Sequence, residues 1–185
     1  MICRTLYQTI ENRENLDEVE RFAPFKCTRK DAWIGEGYYF WDTMIKFAHK
    51  WGEKSYNGNY YICKVIAEFE VNEELDLVGN MEQIHDIHQI ASLLRKRYAR
   101  NKRKNITFPI VLEYLKKSEK FNYKIIRVSS QKTFSGLENY HYHFIEKYDA
   151  YIDLCPVIQC CVLDKSILKL PVKIVHTSDN MPECI

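Results

Sequence analysis

The chain has 185 residues, a net charge of +2, 46% hydrophobic residues and 28% charged ones, which reads as one globular domain with a proper core. No apolar run approaches the ~20 residues of a membrane-spanning helix, and Met1-Ile2-Cys3-Arg4-Thr5 lacks the apolar stretch of a secretion signal. Seven cysteines, odd in number and without a Cys-x-x-Cys pair, fit a reducing cytoplasm better than a disulfide framework.

In chain order, Arg4 to Ile10 alternates as a first strand, and acidic Glu11 to Glu20 reads as a helix or helical turn with Asn15 as its cap. Residues 22–34 are irregular and broken by Pro24. Gly35-Glu36-Gly37-Tyr38-Tyr39-Phe40-Trp41-Asp42 follows, two of only six glycines bracketing one acid before four aromatics. A helix over about 42–54 comes next, carrying Phe47, Ala48 and Trp51. This turn, strand and helix either present a flat ring beside bare backbone, as a stacked heteroaromatic ligand requires, or form a hairpin turn with core aromatics. Asn57-Gly58-Asn59 is a turn that opens Tyr60 to Val71, a central strand apolar on both faces.

From Met81 the period lengthens. Ile84, Ile87, Ile90, Ala91, Leu94 and Tyr98 recur at helical spacing to about Arg103, and Pro109 starts a second helix. Strands are expected over 123–129, 157–163 and 170–176, with Tyr140-His141-Tyr142-His143-Phe144 a strand or a loop; on a strand, both histidines share one face. Strands at both ends with helices between them make the fold class α+β, in one domain over 1–185.

Residues 95–104 hold seven basic groups, Arg95, Lys96, Arg97, Arg100, Lys102, Arg103 and Lys104, around Tyr98. Without them 20 basic residues face 25 acidic ones, so the basic character is local. A local block is the footprint of a phosphate-binding surface, here a candidate nucleic-acid contact; the alternatives are a solvated helix end or a strip for an acidic partner. His85 and His88 have the spacing of helical zinc ligands, but no second pair accompanies them, so no metal is expected.

Three segments together resemble the signature strands of ADP-ribosyltransferases of the diphtheria-toxin and poly(ADP-ribose) polymerase type. Leu6-Tyr7-Gln8-Thr9 is similar to their Tyr/Phe-His-Gly-Thr/Ser element. Gly35 to Phe40 resembles Gly-x-Gly-Ile-Tyr-Phe with its following helix, and Gln159-Cys160-Cys161-Val162-Leu163-Asp164 resembles the strand that carries the family's glutamate. The likeness covers roughly residues 4–71 and 150–170, and about 81–120 looks like a helical insertion. Gln8 stands where the family has histidine, and Gln159 where it has glutamate.

The resemblance implies a split antiparallel or mixed sheet with peripheral helices, NAD as substrate, and mono-ADP-ribosyl transfer. It assigns catalysis to Gln159, Tyr39 and Gln8, and NAD binding to Tyr7, Gln8, Thr9, Gly37, Tyr38, Tyr39, Trp51 and Arg4. Tyr39 would stack on the nicotinamide with Trp51 near its opposite side. Gly37 would admit backbone to the carboxamide, Arg4 would meet the pyrophosphate, and the 140–144 segment would face the acceptor. It further implies a cytoplasmic toxin or defence effector, an RNA, DNA or protein acceptor, and an antitoxin partner. The alternatives are a catalytically silent module binding NAD, ADP-ribose or nucleic acid, and an NAD glycohydrolase. The Glu68-Phe69-Glu70 pair is similar to the Glu-x-Glu of the arginine-modifying branch, whose Ser-Thr-Ser strand is missing here.

Overall fold

A computed structural model describes residues 1–100, 105–119, 121–130, 133–137 and 140–178, with the side chain of Arg100 outside that description. The alternating first segment becomes β1 (Ile2–Glu11), and the β-branched, aromatic run after the Asn-Gly turn becomes β3 (Tyr60–Phe69). They pair antiparallel over ten residues, from Ile2↔Phe69 to Glu11↔Tyr60. Asn57 (φ 52°) and Gly58 (φ 83°) make the left-handed turn that delivers β3. β3 is apolar on both faces because two helices cover it. Tyr60 and Ile62 pack under α2 (Ile45–Tyr56) with Phe47 and Ala48, while Tyr61 and Cys63 pack with Val19 of α1 (Leu16–Phe22). Gly52 sits in the interior of α2 despite the helix propensity it costs, because a Cβ there would enter the Tyr60 ring.

The fold is α+β. Seven strands run in the order β4-β5-β8-β2-β1-β3-β9, with β2 (Tyr38–Asp42), β4 (Glu74–Leu77), β5 (Ile125–Ser129), β8 (Ile158–Val162) and β9 (Leu168–Thr177). All neighbours are antiparallel except β4 and β5, so the sheet is mixed. Parallel pairing demands a long crossover. The helical middle of the chain supplies it as α3 (Met81–Arg100) and α4 (Phe108–Lys116), the latter with Pro109 in its first turn. Among the described residues no helix is long and apolar enough to cross a membrane. A separate ribbon pairs β6 (His141–His143) with β7 (Tyr151–Asp153), and both His141 and His143 meet the ring of Tyr151.

The register of β1, β2, β5 and β8 sorts their side chains between two faces. Leu6, Phe40 and Cys160 share one face with Arg4, Asp42 and Arg127; Tyr39, Trp41 and Gln159 share the other. On the first face two guanidiniums hold three carboxylates drawn from β2 and β4. Arg4 donates to both oxygens of Glu74 at 2.8 Å and, more loosely, to Asp42 at 3.4 Å. Arg127 donates to Asp42 at 2.7 Å and to Asp76 at 3.0 Å. Burial pushes the Glu74 carboxyl up even beside Arg4. Asp76 is held low against the same desolvation by the Gly79 and Val78 amides and by Arg127. A network of this kind adds little net stability over an apolar core, but each buried charge depends on its partners.

On the outer side of β3 the His49 Nδ1 and Tyr60 Oη lie 2.9 Å apart, and the His49 and His176 rings are edge-to-face with centroids 4.7 Å apart. Burial, and then His49, lower the affinity of His176 for a proton.

Two outcomes are expected. Arg127→Met leaves Asp42 and Asp76 short of their cation, and urea unfolding should show a loss of about 3–5 kcal/mol. The unfolded chain binds a proton at His176 more readily than the folded one. Stability should therefore be complete above the usual histidine value of 6.5 and decline as the pH falls below it. Thermal melts between pH 7 and 5 should show that decline, and His176→Phe should flatten it.

Candidate functional site

β1 and β2 are joined only at Leu6↔Asp42 and Tyr7↔Trp41. Beyond Tyr7, β1 stays with β3 while the start of β2 stays with β8. The strands diverge there, and the gap is a cleft of about 1000 Å³. Its walls include Gln8 and Thr9 of β1, Tyr39 and Trp41 of β2, Gln159 of β8 and Trp51 of α2, and the loop from Phe25 to Trp33 forms its remaining side.

Gln8 fills the fork of the split. Its Nε2 donates to Phe25 O at 2.9 Å and to Tyr39 O at 3.3 Å, and its Oε1 accepts from Phe25 N at 2.8 Å. The side chain thus replaces the strand–strand hydrogen bonds that the divergence removes, and it ties the loop to both strands. One acceptor lone pair of the amide is left over. Tyr39 is similarly engaged: its hydroxyl accepts from Ile34 N and donates to Gly35 O, both at 2.8 Å. Burial pushes the phenol above its ordinary range, so it stays protonated. The ring borders the cleft while packing against Ile34, Leu112, Ile126 and Cys161.

Gln159 differs from both. It is only 7% exposed, it borders the cleft, and no donor reaches its Oε1 among the described residues. A buried acceptor left unmade costs about 1–3 kcal/mol, a penalty that a ligand donor would relieve. Beside it stands an aromatic wall. All three tryptophans of the chain belong to it, Trp41 and Trp51 with ring centroids 5.9 Å apart and Trp51 and Trp33 edge-to-face at 6.3 Å. Phe134 leans on Trp41 from the other side at 5.4 Å.

The rim of the cleft carries three cations, each already paired. Arg13 donates to Glu11 at 2.7 Å, Lys26 to Glu36 at 2.6 Å, and Arg29 to both oxygens of Asp31 at 2.9 and 2.7 Å. These pairs are solvated, so an incoming phosphate can exchange for the carboxylate at little cost. The arrangement as a whole can stack one or two flat rings, accept one buried hydrogen bond and neutralise a diphosphate at its edge.

Of the residues singled out in the sequence, Gln8, Thr9, Tyr39, Trp51 and Gln159 converge on this cleft. Thr9 also donates its hydroxyl to Ala48 O at 2.8 Å, fixing α2 to β1. Four others are placed elsewhere. Tyr7 packs under α2 against the cluster of Trp41, Phe47 and Tyr60. Tyr38, one residue out of phase with Tyr39, packs on the opposite face with Leu6 and Phe40, and Lys165 lies over its ring at 5.6 Å. Arg4 belongs to the buried ion network, which corrects its expected place beside a pyrophosphate.

Gly37 is buried between Cys27 and β8, where a Cβ would meet Cys161 Sγ and lie 2.9 Å from Val162 O. Its missing side chain serves strand packing and not approach to a ligand. Arg95, Lys96 and Arg97 are exposed on α3. The Arg100 side chain, Lys102, Arg103 and Lys104 lie outside the described residues. His85 meets Gln89 on the exposed face of α3 at 2.7 Å.

Trp33, Trp41 and the rim cations Arg13, Lys26 and Arg29 were not among the residues expected at a site. The one sequence signal for Trp33 is its position two residues before the glycine pair, in a chain with only three tryptophans. Comparison of the chain with protein-family models, with curated proteins and with solved structures gave no match.

Gly37→Ala should lower stability by about 1–3 kcal/mol through overpacking against β8. Chemical denaturation checks this, and a variant as stable as the parent would place Gly37 in a looser environment than its contacts describe.

Proposed function

We propose that the chain is an NAD-dependent mono-ADP-ribosyltransferase, acting on a nucleic-acid or protein acceptor as a toxin or defence effector that an antitoxin restrains. The observation that carries this reading is convergence. The three segments that resemble the family's signature strands are far apart in sequence. They lie side by side as β8-β2-β1, and Gln159, Tyr39 and Gln8 border one cleft. The divergence of β1 from β2 also supports a split sheet of the ADP-ribosyltransferase kind.

On this reading the nicotinamide ring lies against Tyr39 and the indole wall, and the rim cations Arg13, Lys26 and Arg29 take the pyrophosphate expected of Arg4. Gln159 Oε1, the acceptor without a donor, takes a hydroxyl hydrogen of the nicotinamide ribose. The bond between ribose C1′ and the nicotinamide nitrogen breaks, and its electron pair leaves with the now neutral nicotinamide. A lone pair of the acceptor then forms the new bond to C1′, and the acceptor's proton passes to solvent. Water in the acceptor's place gives NAD hydrolysis. An amide at 159 orients the ribose but adds no negative charge to stabilise the oxocarbenium ion, so the chemical step is slow compared with a carboxylate enzyme.

A second reading, a silent module that binds NAD or ADP-ribose, draws on one specific observation. The Gln8 amide is already committed to Phe25 and Tyr39, which leaves Gln159 as the one free polar group of the three.

Nicotinamide release from labelled NAD separates the two. The parent should release nicotinamide slowly, Tyr39→Ala should abolish release, and Gln159→Ala should reduce it about tenfold or more, the weight of a hydrogen bond made in the transition state. Gln159→Glu should raise release while destabilising the free protein by about 1–3 kcal/mol, because it buries a carboxylate among indoles. NAD binding without release in all four proteins would leave the silent module.

A further inference from the structure

A second cavity, of about 650 Å³, adjoins the first across Trp33 and Trp51, which line both. Its other lining residues are Lys54 and Ser55 of α2, Ser129 at the end of β5, and Ser130 and Thr133 beyond it. Ser129 directly follows Val128, the register partner of Gln159, so the second cavity lies near the one cleft side chain among the described residues whose buried acceptor makes no hydrogen bond.

The chemistry of this cavity is narrow. Among the described residues it offers two indoles, one of them nearly half exposed (Trp33, 46%), one ammonium and four hydroxyls, of which Thr133 donates to Ser130 O at 2.7 Å and Ser130 to Val157 O at 3.4 Å, and no carboxylate. Lys54 Nζ donates to Thr133 O at 2.9 Å and leans toward Phe134, which steadies the side chain and leaves two of its three protons for a ligand. A guanidinium or amine of a protein acceptor would meet the ammonium with no anion to offset it. A carboxylate acceptor would match Lys54 and the hydroxyls but leave the indoles bare. A nucleotide uses everything present: a base on the tryptophan, a phosphate on the ammonium, and sugar or base edges on the hydroxyls.

We infer that this second cavity seats one nucleotide of a single-stranded nucleic acid, its base stacked on Trp33 and its phosphate at Lys54, as the acceptor for the neighbouring cleft. The inference rests on the transferase reading for the word acceptor; the binding site itself does not. A single strand is called for because a base stacked in a duplex presents no free face to Trp33.

The test is fluorescence anisotropy with short labelled single-stranded RNA and DNA oligonucleotides, titrated across salt in the absence of NAD. NAD binding and nicotinamide release are measured separately on the same proteins. The parent should bind single strands in preference to duplexes. Trp33→Ala should weaken that binding by about five- to a hundredfold, the range for loss of one stacked base. Lys54→Gln keeps a donor for Thr133 O and removes the charge. It should reduce the slope of log K against log salt by about 0.7, one phosphate contact, and leave nicotinamide release unchanged. Lys54→Glu should abolish oligonucleotide binding.

Oligonucleotide affinity and salt slope unchanged in Lys54→Gln and Lys54→Glu would overturn the inference, as would label from NAD passing to protein with no single-strand binding. Failure to bind or cleave NAD, with single-strand binding still dependent on Trp33 and Lys54, would count against the transferase reading and leave the nucleotide seat standing.

Discussion

β1 and β2 are in ladder register at only two residue pairs, Leu6 with Asp42 and Tyr7 with Trp41, and the form of the molecule follows from what happens at either end of that short seam. At its closed end Asp42 is gripped by Arg127 and Arg4, which also reach Asp76 and Glu74, so four strands are locked at one point. At its open end the strands part, and Gln8 spans the gap in place of a ladder. A sheet that simply continued its pairing would have no cleft.

The same seam separates two kinds of polar chemistry. Full charges are buried on the face of Arg4 and Asp42, where each meets an opposite charge, and Arg4 Nε alone finds no partner there among the described residues. The cleft beyond the open end is lined inside by amides and aromatic rings, with charges confined to its solvated rim. A ligand entering such a cleft meets no buried ion to desolvate. Its recognition comes from ring stacking and single hydrogen bonds in the interior, and from charge exchange outside.

Much of this was legible in the sequence where local chemistry decides the structure. The Gly35-x-Gly37 turn, the Asn57-Gly58 turn and the both-faces-apolar run of β3 each announced their element, and Asn15 does precede the first residue of α1. β4 was missed because half of Glu-Leu-Asp-Leu is charged. It forms a buried strand only because Arg4 and Arg127 arrive from strands distant in sequence. β7 has three residues and exists through its pairing with β6. At the site, the periodic positions on β2 and α2 were readable, whereas Trp33 and the rim cations lie in loops with no period to follow. Gly37 was misread for a related reason. A glycine's empty side announces close approach, but the sequence does not say to what, and here the neighbour is β8.

The gathering of all three tryptophans at the cleft has an optical consequence. Light absorbed at the red edge of the indole band is absorbed at this one place, and with centroids about 6 Å apart the rings are close enough to couple excitonically. The circular dichroism at that red edge and the tryptophan emission are therefore local spectra of the cleft and not averages over the fold. Because the three rings share excitation, whatever enters beside one of them alters the emission of all three.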